Sequence, residues 1–245
     1  MVNLRRWLKA QDYERVFWKR VEDRIVSGAS SQLSWYGWKA SEMEKRLVGY
    51  FDDERRKGAK VLEVGSGPIG IVSFLKWGER YTIDPLEDFY QSNLVLTQLR
   101  NSAVHYGKGQ GENLPFENSY FSLVILDNAL DHAHKAEDIL KEIHRVLSAN
   151  GLLYLAVNLH TRWGAFPHAI FSKLKIDAGH PYTFTLNSIR DFIQQCQFCI
   201  LLESINDYYQ AREQVRKSSS LKDKIKGYSG LSEFIYYAIC SKENL

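Results

Sequence analysis

Across the first third of the chain, apolar residues recur three and four positions apart among many charges. Leu4, Trp7, Leu8, Val16, Phe17, Val21 and Ile25 keep that spacing and predict one or two amphipathic helices over 3–26. Gly28 to Ser34 reads as a loop, Ser34-Trp35-Tyr36-Gly37-Trp38 is an aromatic run, and Glu42 to Asp53 reads as a further helix. From Val61 the pattern changes. Short continuous apolar runs at 61–64, 80–83, 121–126 and 152–157 predict buried strands, with a shorter extended piece at 103–106. Helical spacing predicts helices at 69–77, 87–102 and 135–147. The last of these has Ile139, Leu140, Ile143, Val146 and Leu147 on one face and Asn150-Gly151 as its stop signal. Strand alternating with helix predicts an α/β fold, a parallel sheet with helices on both faces.

Residues 158–182 break the rhythm. They mix Asn158, His160, Arg162, Trp163, Phe166, His168, His180 and Tyr182 without a period. They follow a strand, and in open α/β sheets the loops after strand ends carry the site, so this insertion reads as a substrate cap. Thr185 predicts the N-cap of a helix from Leu186 to Gln195, followed by strands at 200–204 and 234–240. The charged stretch 206–226 reads as a mobile loop or an exposed helix. Residues 1–57 form an N-terminal helical lid or extension in this division, and 58–245 form the main domain.

The stretch Val61 to Gly70, VLEVGSGPIG, runs a strand into a turn holding Gly65, Gly67 and Gly70. Glycines allow a sharp turn and a close approach of backbone to ligand, and a strand, turn and helix N-terminus make a nucleotide-binding corner. The three glycines spell G-x-G-x-x-G, and Asp84 follows about twenty residues on, which also fits a dinucleotide site. Glu63 argues for a different ligand. Its carboxylate stands beside the turn and suits a cationic group better than a pyrophosphate.

Composition adds bounds rather than direction. Hydrophobic content of 44% and charged content of 25% are ordinary for a globular chain, and a net charge of +3 is too small to imply nucleic acid or membrane. Aromatics reach 13%, which suits pockets as well as cores. Cys196, Cys199 and Cys240 lack the partners of a zinc site and read as small buried residues in a reducing compartment. The N-terminal MVNLRRWLKAQDYER is too charged for a signal peptide, and no apolar run reaches spanning length. A cytoplasmic protein without stable membrane insertion is expected.

Four segments in order carry a resemblance: VLEVGSGPIG (61–70), TIDP (82–85), GQGENLPFENSYFSLVILDNALDH (109–132) and ILKEIHRVLSANGLLYLAV (139–157). Together they make the chain resemble the class I S-adenosylmethionine-dependent methyltransferases, above all the small-molecule and glycan methyltransferases with a UbiE-like core. The resemblance implies a Rossmann-like sheet of seven strands with an antiparallel last strand, and S-adenosyl-L-methionine as cofactor, leaving S-adenosyl-L-homocysteine, with no metal. It also implies the site. Gly65, Ser66 and Gly67 would lie under the methionine part, Glu63 would help hold its amino group, and Asp84 would accept both ribose hydroxyls. Pro85 would flank the adenine. Gln110 stands where the family has an adenine-reading Asp and, with Gly111 and Glu112, completes that segment. Asp127 and Asn128 would lie beside the sulfonium. Trp38, in the aromatic run of the lid, is a further candidate for cofactor contact.

Methyl transfer to a hydroxyl benefits from a general base, and His is the usual one near neutral pH. His132 is the leading candidate, with Asp131 beside it and His180 in the insertion. Asp131-His132 serves equally well as a cap for the helix that follows. Glu142 and Arg145 read as a surface pair. The expected function is O-methylation of a small molecule or a glycan sugar. An RNA methyltransferase would need a basic face or an added module, and neither is evident, so no nucleic acid partner is expected. A non-catalytic S-adenosylmethionine-binding protein and a nucleotide oxidoreductase are the other readings. The sequence leaves the oligomeric state open, a homodimer included.

Overall fold

The structure is a computed structural model of the 245-residue chain. It describes residues 4–28, 32–161, 182–206 and 233–243, together with 213, 216–218, 224, 227 and 228. Most of the expected cap at 158–182 and of the charged stretch 206–226 lies outside the described residues.

Seven strands form one sheet: β1 (Lys60–Val64), β2 (Glu79–Asp84), β3 (Val104–Lys108), β4 (Phe121–Asp127), β5 (Leu147–Leu159), β6 (Phe198–Ile205) and β7 (Phe234–Lys242). Their order across the sheet is β3-β2-β1-β4-β5-β7-β6. The first five pair in parallel, and β7 runs antiparallel to both β5 and β6. The order reverses between β1 and β4, and a crevice opens outside the carboxyl ends of strands at such a switch. The continuous apolar runs of β1 and β4 follow from burial on both faces.

One face of the sheet carries α1 (Leu4–Val26), α2 (Gln32–Leu47), α3 (Asp53–Arg56) and the short helices α4 (Glu87–Gln91) and α5 (Leu94–Thr97). The other carries α6 (Ala136–Val146) and α7 (Leu186–Gln195). Thr185 caps α7 as expected, in a reciprocal pair with Ser188. The core follows the same division. Val21, Met43, Leu47 and Phe51 pack with Val61, Val72, Tyr154 and Ile239 on the first face. Leu140, Ile143, Ile189 and Ile193 pack with Leu62, Val124 and Leu153 on the second. α2 therefore forms part of the helical layer over the sheet as well as bordering the crevice described below.

Four expected elements come out differently. The segment 3–26 is a single helix, within the expectation of one or two, but the aromatic run lies inside α2, which starts ten residues earlier than the expected helix at Glu42. The expected helix at 69–77 is one 3-10 turn, Ile71–Phe74. Gly70 enters it at φ +77° and Leu75 leaves it in extended conformation, while Gly37 of α2 comes so close that a Cβ there would lie 3.3 Å from the Phe74 ring. α2 occupies the room that a longer helix would need. The expected helix at 87–102 is split into α4 and α5, because Asn93 caps α5 with its own side chain. Finally, Asn150-Gly151 does not end α6. The helix passes into β5 at Leu147, and β4 resumes pairing only at Leu123 with Leu152, so residues 148–151 bulge from the register.

The surface pair expected of Glu142 and Arg145 is present at 2.7 Å. Arg145 also donates to the carbonyls of Leu114 and Phe116, which ties α6 to the segment after β3. Of the cysteines, Cys196 and Cys240 are buried and Cys199 is exposed, because alternate residues of β6 face outward. Among the described residues, no helix is long and apolar enough to cross a membrane.

Candidate functional site

The glycine turn sits at the carboxyl end of β1. Gly65 has φ +72°, and a Cβ there would lie 2.5 Å from the Cβ of Ala129, so glycine alone lets this turn meet the one after β4. Its N–H donates to the Ile83 carbonyl at 2.8 Å. Asp84 ends β2 facing the same turn. The Gly67 N–H donates to its Oδ2 at 2.9 Å and the Leu86 N–H to its Oδ1 at 2.8 Å. Burial pushes the Asp84 carboxyl up to about 6, against these two bonds, which pull it down.

Glu63 is more enclosed. Its oxygens accept the N–H groups of Ile71 at 3.1 Å and Val72 at 2.8 Å. A Cβ on Gly70 would come within 2.7 Å of Glu63 Oε2, so the glycine makes room for this carboxylate. Desolvation by burial pushes the Glu63 carboxyl up to about 8, with nearby Asp127 adding to the rise and the two N–H groups and Lys39 opposing it. Glu63 thus caps the 3-10 turn whose N–H groups need a partner.

The opposite wall comes from α1 and α2. A Cβ on Gly67 would lie 3.0 Å from Trp18 Cζ2 and 3.2 Å from the Tyr36 hydroxyl. Burial drives the Tyr36 hydroxyl well above its ordinary range, and the charges of Glu63, Asp84 and Asp127 push the same way. Lys39 makes an ion pair with Asp127 at the end of β4 and lies 4.2 Å over the Trp35 ring. Between the two walls is a cleft of about 710 Å³, well within the roughly 300–1,000 Å³ usual for ligand sites.

The structure gathers most of the residues singled out from sequence along this cleft. Glu63, Gly65, Ser66, Gly67, Asp84, Pro85, Gln110, Gly111, Glu112, Asp127 and Asn128 all line it. Glu112 also accepts the N–H groups of His134 at 2.9 Å and Lys135 at 3.0 Å, at the start of α6. Asn128 has φ +53° and accepts from Asn158 Nδ2 at 2.7 Å, which fixes the turn after β4. Trp38 does not line the cleft: it is 49% exposed, and the lining positions of α2 are Trp35, Tyr36 and Lys39.

His132 lines the cleft. Its Nδ1 lies 3.6 Å from Glu14 of α1, and its Nε2 lies 3.9 Å from Asp131. Asp131 is buried behind it and is not part of the lining, and its carbonyl accepts the Tyr182 N–H at 3.2 Å. His180 lies outside the described residues. Sequence reasoning missed the lining residues of α1 and α2 other than the general expectation of a lid, above all Glu14, Trp18, Tyr36 and Lys39. The signal was the spacing 35, 36, 39, one face of a helix, which the loop reading before Ser34 hid. Among the described residues, no three His, Cys, Asp or Glu side chains gather to hold a metal ion.

Comparison with known proteins follows the same geometry. Residues 62–155 match a family model described as a methyltransferase domain. A Galdieria sulphuraria protein, described as a candidate sarcosine dimethylglycine methyltransferase, superimposes with a TM-score of 0.62 at 15% identity, covering 87% of each chain. The geranyl diphosphate C-methyltransferase of Streptomyces coelicolor A3(2), solved with Mg2+, geranyl diphosphate and S-adenosyl-L-homocysteine, gives 0.59 at 10% identity over 82% of this chain and 79% of that one. A chain from the Haloferax volcanii complex of the Trm112 methyltransferase activator with a methyltransferase gives 0.58 at 15% identity, covering 91% and 97%.

Proposed function

We propose that this chain, which carries a class I S-adenosylmethionine-dependent methyltransferase domain, transfers the donor's methyl group to a hydroxyl of a small molecule or a glycan sugar. The observation that carries the reading is one cleft with the glycine turn and Asp84 on one wall and His132 on another. The donor supplies a methyl group already activated on a sulfonium. The residues present suit it. Asp84 is held by two backbone N–H groups and, as a carboxylate, keeps lone pairs on both oxygens for two ribose hydroxyls. Gly65 and Gly67 let the methionine chain pass close to backbone. Pro85, Leu86 and Ile139 give an apolar seat for the adenine, and Gln110 offers an amide to its edge. Asp127 and Asn128, which line the cleft, would border the sulfur.

The acceptor hydroxyl would stand between the methyl group and His132. As the methyl group leaves the donor sulfur for the acceptor oxygen, the hydroxyl proton would pass to a ring nitrogen of His132, and the donor would be left as the neutral thioether. Glu14 and Asp131 flank the ring and stabilise it once it is protonated. Alignment along the C–S axis and exclusion of water do the rest.

Two measurements test this reading. Calorimetry should show S-adenosylmethionine binding and no NAD binding. A screen of hydroxyl acceptors with labelled methyl groups should then find transfer, and its failure across acceptors would leave a binding protein. In the active protein, His132→Ala should slow turnover by roughly 10²–10⁴-fold with donor affinity unchanged. Unaltered turnover would return His132 to a capping role.

A further inference from the structure

The methionine end of S-adenosylmethionine carries an α-ammonium and an α-carboxylate on one carbon. The wall that would meet it is acidic. The Asp127 side chain, at the end of β4, is only 5% exposed. A ligand carboxylate placed there alone would meet like charge out of water, which is strongly disfavoured. Two described cations line the cleft. Arg24 is exposed in the last turn of α1, whereas the Lys39 side chain is only 12% exposed. Lys39 is held on both sides, by the Trp35 ring beneath and by Asp127 Oδ1 beside it. An ammonium has three N–H donors, and Asp127 is its one hydrogen-bond acceptor among the described residues. Lys39 and Asp127 together set a positive and a negative charge side by side, the mirror of the ligand's own pair.

We propose that Lys39 binds the α-carboxylate of the donor, and that it thereby makes the cleft select a donor with an intact amino-acid end over the decarboxylated one. The inference rests on the donor reading above and deepens it. It gives α2, which lies outside the matched segment 62–155, a direct part in donor recognition. Asp127 keeps Lys39 in place and takes the α-ammonium.

The test compares the affinity of S-adenosylmethionine with that of decarboxylated S-adenosylmethionine by calorimetry. The wild-type protein should prefer the intact donor by about tenfold or more, as expected for a charge-assisted hydrogen bond in an enclosed site. Lys39→Met should lose that preference by weakening the intact donor while leaving the decarboxylated one within about twofold, and Lys39→Arg should keep most of it. Should Lys39→Met fail to fold because Asp127 is left buried and unpaired, the double variant Lys39→Met with Asp127→Asn removes both charges and should also show no preference. A preference that survives in Lys39→Met or in the double variant overturns the inference and leaves the donor assignment standing. A wild-type protein that binds neither compound overturns the donor assignment itself, and this inference with it.

Discussion

Asp84 and Glu63 hold the same turn, and burial acts on both in the same direction. Burial pushes the Asp84 carboxyl up to about 6, and under the proposed donor reading it would have to be ionised to accept two hydroxyls. On that reading, donor binding would release a proton below that value. Affinity for S-adenosylmethionine should be flat from pH 7 upward, as far as Asp84 is concerned, and weaken about tenfold per unit below pH 6. Calorimetry at pH 5, 6 and 7 reads this directly, and Asp84→Asn should abolish the dependence along with most of the affinity. Glu63 acts on stability instead. Its folded value of about 8 lies above the ordinary 4.5, so the native state holds a proton that the unfolded chain has released. Its contribution is present in full below about pH 4.5 and is lost as pH rises through 8. Urea unfolding of the ligand-free protein should show stability falling between pH 6 and 8, and Glu63→Gln should flatten that slope. An equal slope in the variant would assign the proton to another group.

At the scale of elements, the strands were legible because a short continuous apolar run in a chain that alternates strand with helix marks a strand buried on both faces. β1, β2, β4 and β7 fall where the runs predict, and α7 falls where Thr185 predicts. The segment after the glycine turn was not legible. Ile69, Ile71, Val72 and Leu75 have helical spacing, but all four are buried, because α2 covers them from the side that a helix would turn to solvent. A fully buried turn and an amphipathic helix give the same apolar spacing over so few residues. Most of the sheet-side lining of the cleft was legible because its residues sit in short motifs at strand ends, whereas Lys39 and Tyr36 depend on the register of α2, which no local motif sets. The junction of α6 and β5 carries a prediction of its own. A Cβ on Gly151 would lie 2.9 Å from Leu147 Cδ2 and 3.0 Å from the Phe121 carbonyl oxygen. Gly151→Ala should cost about 1–3 kcal/mol of stability by overpacking, read as a lower urea midpoint with an unchanged slope.

At the scale of the whole molecule, the helical layer formed by α1 and α2 does two jobs. Val21, Met43 and Leu47 belong to the core, while Trp18, Tyr36 and Lys39 of the same helices face the cleft. Filling the cleft therefore stabilises a contact between that layer and the sheet. S-adenosylhomocysteine at a hundred times its dissociation constant should add about 2.7 kcal/mol, or roughly 5–10 °C in a thermal melt of a chain this long. No shift at saturating ligand would mean that the cleft does not take it.

The walls of the cleft also carry an optical consequence. Trp7, Trp18 and Trp35 border it, at least half of the chain's six indoles. An adenine or a sulfonium arriving among them would change their surroundings, so intrinsic fluorescence can follow occupancy in real time without a label. Replacing each indole by Phe in turn would show which side of the crevice a given molecule reaches first.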